Sequence, residues 1–120
     1  MSILEVAVSA VLVTNAADPF FCRTLAEGGA RCSNGLGVEA TGEHTIRFSN
    51  FVTVTKLNNG DLAFSNGLTS SRGSFGGYQF SNGVSVRRLA GGIYEFSSGL
   101  ICRPRLPAIA ECVRRPRKPQ

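Results

Sequence analysis

The sequence predicts an all-β fold: a meander of 16-residue β-hairpin repeats in a single sheet. That sheet rolls or closes into a barrel-like or sandwich-like core, or is completed by oligomerisation. Three observations predict this. A five-residue motif recurs as Cys32-Ser33-Asn34-Gly35-Leu36, Phe48-Ser49-Asn50-Phe51-Val52, Phe64-Ser65-Asn66-Gly67-Leu68, Phe80-Ser81-Asn82-Gly83-Val84 and Phe96-Ser97-Ser98-Gly99-Leu100, in steps of 16 without an insertion. Fixed self-similarity of this kind marks a repeat architecture. Each unit carries two turn signals, and the residues between them alternate apolar and polar. The 120 residues include 14 glycines, which interrupt almost every stretch after Gly28 and leave few long helical windows.

The first turn of each unit is Ser-Asn-Gly, a three-residue loop whose glycine can take the left-handed conformation that follows a type I turn. The second comes about nine residues later, at Ala26-Glu27-Gly28, Asn58-Asn59-Gly60, Ser74-Phe75-Gly76 and Ala90-Gly91-Gly92. His44 stands where the frame expects a glycine, and histidine tolerates positive φ better than most residues. Phe51 also replaces a glycine, so the Ser49-Asn50-Phe51 turn is expected to be of another type. Pro107 and Ala108 are expected to break the last loop. Strands such as Val84 to Leu89 and Ile93 to Phe96 join the turns.

Pairing Phe80 with Val84 across its loop sets the parity of every strand. One face then gathers Phe48, Phe64, Phe80 and Phe96, with Leu36, Val52, Leu68, Val84 and Leu100. Val38, Val54, Val86, Ile46, Leu62, Tyr78 and Tyr94 join them, and Ser70 is the one polar member. The other face gathers Glu39, Thr53, Thr55, Thr69, Ser71, Gln79, Ser85, Arg87 and Glu95. Burying one Phe, Leu or Val contributes about 1.5–3 kcal/mol, so the dry face must be covered. The pairing rule puts Val86 opposite both Tyr78 and Phe96. That slip of two residues per hairpin coils a sheet toward closure.

The chain divides into residues 1–19, an N-terminal strand or arm outside the period; residues 20–112, the hairpin-repeat domain; and residues 113–120, a basic disordered tail. The stretch from Ile3 to Val13 has the apolar centre of a secretion signal, but it lacks a basic start and carries Glu5. Its β-branched content suits a strand. No apolar run is long enough for a transmembrane helix.

Cys22, Cys32, Cys102 and Cys112 form two pairs with the same spacing, at frame positions that face each other across the second turn. Two disulfides stapling the first and last hairpins are expected, since terminal repeats lack a neighbour and fray first. They imply an oxidising setting: extracellular, cell surface or virion surface. The twin spacing resembles that of small mitochondrial intermembrane-space proteins. Those are paired helices, whereas Gly28-Gly29 and Pro104, Pro107 occupy the gaps here. Free buried cysteines are the other reading, and zinc spacing is absent.

Net charge is +5. Arg114, Arg115, Arg117 and Lys118 concentrate it in the tail, as a solubilising end or a contact for an anionic partner. Lys56, Arg72 and Arg88 recur at one frame position and predict a basic row along one rim. Such a row can meet an anionic glycan or nucleic acid, or simply keep strand ends soluble. Glu43 and His44 are neighbours in a tight loop and the serines fill turns, so no nucleophile, base or metal set is expected, and no cofactor. These features point to a non-enzymatic structural or assembly protein, a surface, fibre, coat or virion component, associating with itself or a larger protein assembly. The period resembles that of triple β-spiral viral fibre shafts, in length alone. A carbohydrate- or polyanion-binding module is the alternative. A small secreted inhibitor or effector, with the Cys22–Cys32 or Cys102–Cys112 loop as its contact, is a third.

Overall fold

The computed structural model describes residues 3–14, 18–26, 28–72, 77–106 and 108–114. Helix α1 (Ile3–Thr14) precedes twelve described strands: β1 (Phe20–Thr24), β2 (Ala30–Cys32), β3 (Gly37–Gly42), β4 (Thr45–Phe48), β5 (Thr53–Lys56), β6 (Leu62–Phe64), β7 (Ser70–Arg72), β8 (Tyr78–Phe80), β9 (Ser85–Leu89), β10 (Ile93–Phe96), β11 (Leu100–Leu106) and β12 (Ile109–Arg114). They form one antiparallel meander in which β12 also pairs with β1, running from β6 through β1 and β12 to β7. The ring is nearly closed. Across the remaining gap, among the described residues, Ala63 of β6 and Thr69, next to β7, form a single isolated bridge. The next rung there is lost because Leu62 N–H donates to Ser70 Oγ, at 2.7 Å, in place of a backbone carbonyl. Ser70 stands where the other units carry valine or cysteine, which explains why the barrel parts at this seam.

The sequence motif has a physical reason at each place. Its first residue points inward, and Phe48, Phe64, Phe80 and Phe96 are all buried. The serine works between units: Ser65 N–H donates to Thr53 O at 2.8 Å, and Ser65 Oγ accepts from Thr53 N–H at 2.8 Å. Ser33, Ser49, Ser81 and Ser97 make the same reciprocal pair with Phe21, Gly37, Thr69 and Ser85. The serines thus clamp the backbone of the preceding strand and do not merely satisfy their own turns. The asparagine Oδ1 accepts the N–H two residues on, as from Asn66 to Leu68 at 3.1 Å. Glycine supplies positive φ, for example +93° at Gly67. Phe51 adopts the same conformation, with φ 71°, and keeps the same turn bonds, Phe51 N–H to Phe48 O and Phe48 N–H to Val52 O, both 2.9 Å. The expectation of another turn type is corrected: the clamps on either side impose the geometry, and the phenylalanine bears the strain.

Two further turns depart from expectation. His44 does not take positive φ. The extra residue is absorbed as a bulge at Thr41, between the Ala40–Ile46 and Gly42–Thr45 rungs. Ala108 occupies the glycine place with φ 72°, and its carbonyl accepts from Thr24 N–H at 2.8 Å; β11 and β12 still pair as far as Leu106–Ile109, but the register shifts between Pro104 and Leu106, an irregularity beside the expected break. The register slip is as expected: Val86 faces Tyr78 and Phe96, and Tyr94 faces Cys102.

The N-terminal segment is a helix, correcting the expected strand. Six consecutive residues, Val6 to Val11, are buried, because α1 lies within the rolled sheet against β1, β2, β11 and β12. A strand there would leave its amides among apolar side chains with no rung to join. A helix satisfies its own backbone, and that outweighs the strand preference of valine. Lys56 Nζ lies 2.8 Å from Glu5 near one end of α1, and Asn50 Nδ2 reaches Val13 O at 3.4 Å near the other. The 12-residue helix is about 18 Å long. The wall makes room for it. Frame positions that hold Ile46, Leu62, Tyr78 and Tyr94 elsewhere hold Ala30 and Ala110 here, and cysteines replace the phenylalanines. On the far side aromatic rings fill the interior, with Phe64 and Phe80 at 6.1 Å edge to face.

Candidate functional site

Both expected disulfides are formed, Cys22–Cys32 between β1 and β2 and Cys102–Cys112 between β11 and β12. Their cysteines are buried, and they staple the wall that carries the helix and the β1–β12 join. They hold the structure and expose no thiol.

The three rim cations lie at the same end of β5, β7 and β9, facing Leu62, Tyr78 and Tyr94 in register. Lys56 is engaged by Glu5, so the rim is not an uncommitted basic row. Only the backbone of Arg72 is described. Arg88 is exposed and has no carboxylate partner among the described residues. Arg114 is not part of a tail: it extends β12 and pairs in register with Leu100. Arg115, Arg117 and Lys118 lie outside the described residues. His44 and Glu43 are exposed, and the His44 carbonyl accepts from Lys56 N–H at 2.8 Å. No described helix is long and apolar enough to cross a membrane.

The outer wall has its own order. In the hairpins of β3–β4, β9–β10 and β11–β12 the directly opposed outer residues are ion pairs: Glu39 with Arg47 at 2.7 Å, Arg87 with Glu95, and Arg103 with Glu111 at 3.1 Å. An exposed pair such as Glu39–Arg47 contributes about 0.2–1 kcal/mol. The first hairpin breaks the rule. Its opposed outer residues are Arg23 and Arg31, both exposed and without a carboxylate partner among the described residues. Beside them Gly37 leaves the wall without a side chain where Thr53, Thr69 and Ser85 stand in other units. An open groove of 300 Å³ results, lined by Leu25, Arg31, Gly37, Glu39, Arg47 and Phe51.

No protein family, curated protein or solved structure matches the chain. What the wall can do follows from its own chemistry. It offers two opposed guanidiniums, a groove, and exposed rings at Phe51, 84% accessible, and Phe21, 46% accessible. Sequence reasoning passed over this group. The signal was present, since frame positions 23 and 31 correspond to the opposite-charge pairs 39/47, 87/95 and 103/111. The rim drew attention instead because its three cations recur, whereas the wall site is defined by a departure from recurrence.

Proposed function

We propose that this chain is a non-enzymatic structural protein of an oxidising compartment, acting by association with further copies of itself or with a larger protein assembly at a surface, fibre, coat or virion. The observation that carries the reading is the self-filled interior. Helix α1 and the aromatic rows occupy the inside of the barrel, and two buried disulfides brace the wall around the helix. Partners therefore meet the wall and rims. The weakly joined β6–β7 seam also supports association, since sheet edges recruit other strands. Native mass spectrometry across a concentration series, before and after reduction, tests it. Oligomers that grow with concentration are expected, and a monomer at every concentration would overturn the reading.

A second reading, a binding module for an anionic glycan, is favoured by the unpaired Arg23 and Arg31, more than by the rim where Lys56 is already paired. Retention on heparin that falls with added salt is its first test. Passage through the column at low salt would exclude it.

A further inference from the structure

We infer that the outer face of β1–β4 is a binding site for an acidic glycan, a sugar chain bearing carboxylate or sulfate groups. Arg23 and Arg31 hold the anion, and Phe51 packs on a sugar ring. This rests on the second reading above and gives it a location.

Like charges directly opposed across a strand pair destabilise it, and the three other charged hairpins avoid this with ion pairs. Directly opposed residues have Cβ atoms about 5 Å apart. Two guanidiniums rising from that spacing offer several N–H donors to one planar or tetrahedral oxyanion. Their placement is rigid. Cys22 and Cys32, the immediate chain neighbours of Arg23 and Arg31, are bonded to each other on the inner face. The scaffold fixes the backbone on both sides of the clamp, so only the two side chains are ordered on binding.

The groove gives the ligand a direction. It runs from Arg31 past Gly37 to Arg47, two strand spacings or about 10 Å away. That separation is comparable to a disaccharide, so successive charges of an acidic polysaccharide match the two arginines. Arg47 spends Nη2 on Glu39 and keeps other donors. Phe51 then ends the groove with an exposed ring. All of its frame equivalents are glycine, and the left-handed backbone at φ 71° costs a side chain about 1–2 kcal/mol. Backbone strain of this kind is concentrated at functional sites, which motivates assigning the exposed ring to the ligand. Flat apolar ring faces suit the C–H faces of sugars, and the two disulfides are compatible with an oxidising, extracellular setting.

Calorimetric titration of the intact, oxidised protein with heparin-derived oligosaccharides and with oligogalacturonates separates the sulfate and carboxylate sources. Binding to either supports the inference, and the tighter arm names the anion. The double variant R23A/R31A and the groove-filling variant Gly37→Thr are each expected to weaken binding by at least about tenfold. Gly37→Thr keeps the fold, since the added Cβ meets nothing closer than Ser49 Cβ at 3.8 Å and threonine is the residue of other units. Phe51→Gly, which restores the repeat, is expected to weaken binding several-fold, and Arg88→Ala to leave it unchanged. The site assignment is overturned if R23A/R31A and Gly37→Thr bind like the parent, if Arg88→Ala weakens binding as much, or if polyglutamate or duplex DNA binds as tightly. If no acidic oligosaccharide binds the parent protein, the module reading itself falls.

Discussion

Ala30 and Ala110 hold the same frame position on opposite sides of the helix-bearing wall, at 3% and 0% exposure, where other units carry Ile, Leu or Tyr. Replacing each with leucine is expected to give opposite results. Ala30 lines a partly open pocket of 130 Å³, with Ile3, Val6, Val38 and Ile46 on its apolar side and Thr24 and Glu43 toward solvent. Leucine adds three carbons, worth up to about 2.4 kcal/mol at about 0.8 kcal/mol each, less about 0.5–1 kcal/mol of rotamer entropy. The net expectation is stabilisation by about 1–2 kcal/mol. Ala110 lines none of the described pockets and is fully buried. Cys22 and Pro104 flank it in register and α1 packs on its strand, so the same three carbons overpack the core at a cost of about 1–3 kcal/mol. Urea titration at unchanged slope reads the difference, about 2–5 kcal/mol between the two variants. In a thermal melt with the disulfides intact, each kcal/mol moves the midpoint by about 3–6 °C for a domain of this size. If Ala110→Leu stabilises, or if both variants respond alike, the helix does not sit where it is described and the account of the small residues fails.

Ser65→Ala removes the acceptor for Thr53 N–H and is expected to cost about 1 kcal/mol, since solvent partly replaces an exposed bond. A triple Ser49, Ser65 and Ser81 to alanine variant should cost roughly the sum, because the clamps are separate; loss of less than one clamp's worth in the triple would show them to be idle. Phe51→Gly is expected to be more stable than Phe51→Ala by about 1 kcal/mol, because both lose the ring and only glycine relieves positive φ; equal urea midpoints would contradict the strain. The Ser9 hydroxyl is fully buried without a hydrogen-bond partner, so Ser9→Ala should stabilise by about 1 kcal/mol or more, and a destabilised variant would reveal a bond to that hydroxyl.

The repeat made the sheet legible. Phe48, Phe64, Phe80 and Phe96 recur with their Leu and Val partners at one parity, and that parity sets which side of every strand is buried. Turn chemistry, register slip and cysteine pairing all follow from the same local rules, because a hairpin is decided by residues within one unit of one another. Arg114 and Phe51 show the limit of those rules. One was drawn into a rung by its neighbour across the strand, and the other was held in a glycine's conformation by clamps to the units on either side.

What the amino acids settle unaided is therefore the hairpin, its inner and outer faces and the position of its staples. Only the tertiary structure decided that residues 3–14 coil into a helix within the barrel, that the ring closes through β1 and β12, and that Arg31, opposed by Arg23, shares one groove with Gly37 and Phe51. The physical reason is range. Strand parity and turns are fixed by neighbours a few bonds away, whereas the form of an apolar segment depends on whether the space awaiting it offers backbone partners. Inside a wall whose rungs are already paired, only a structure that bonds to itself can enter.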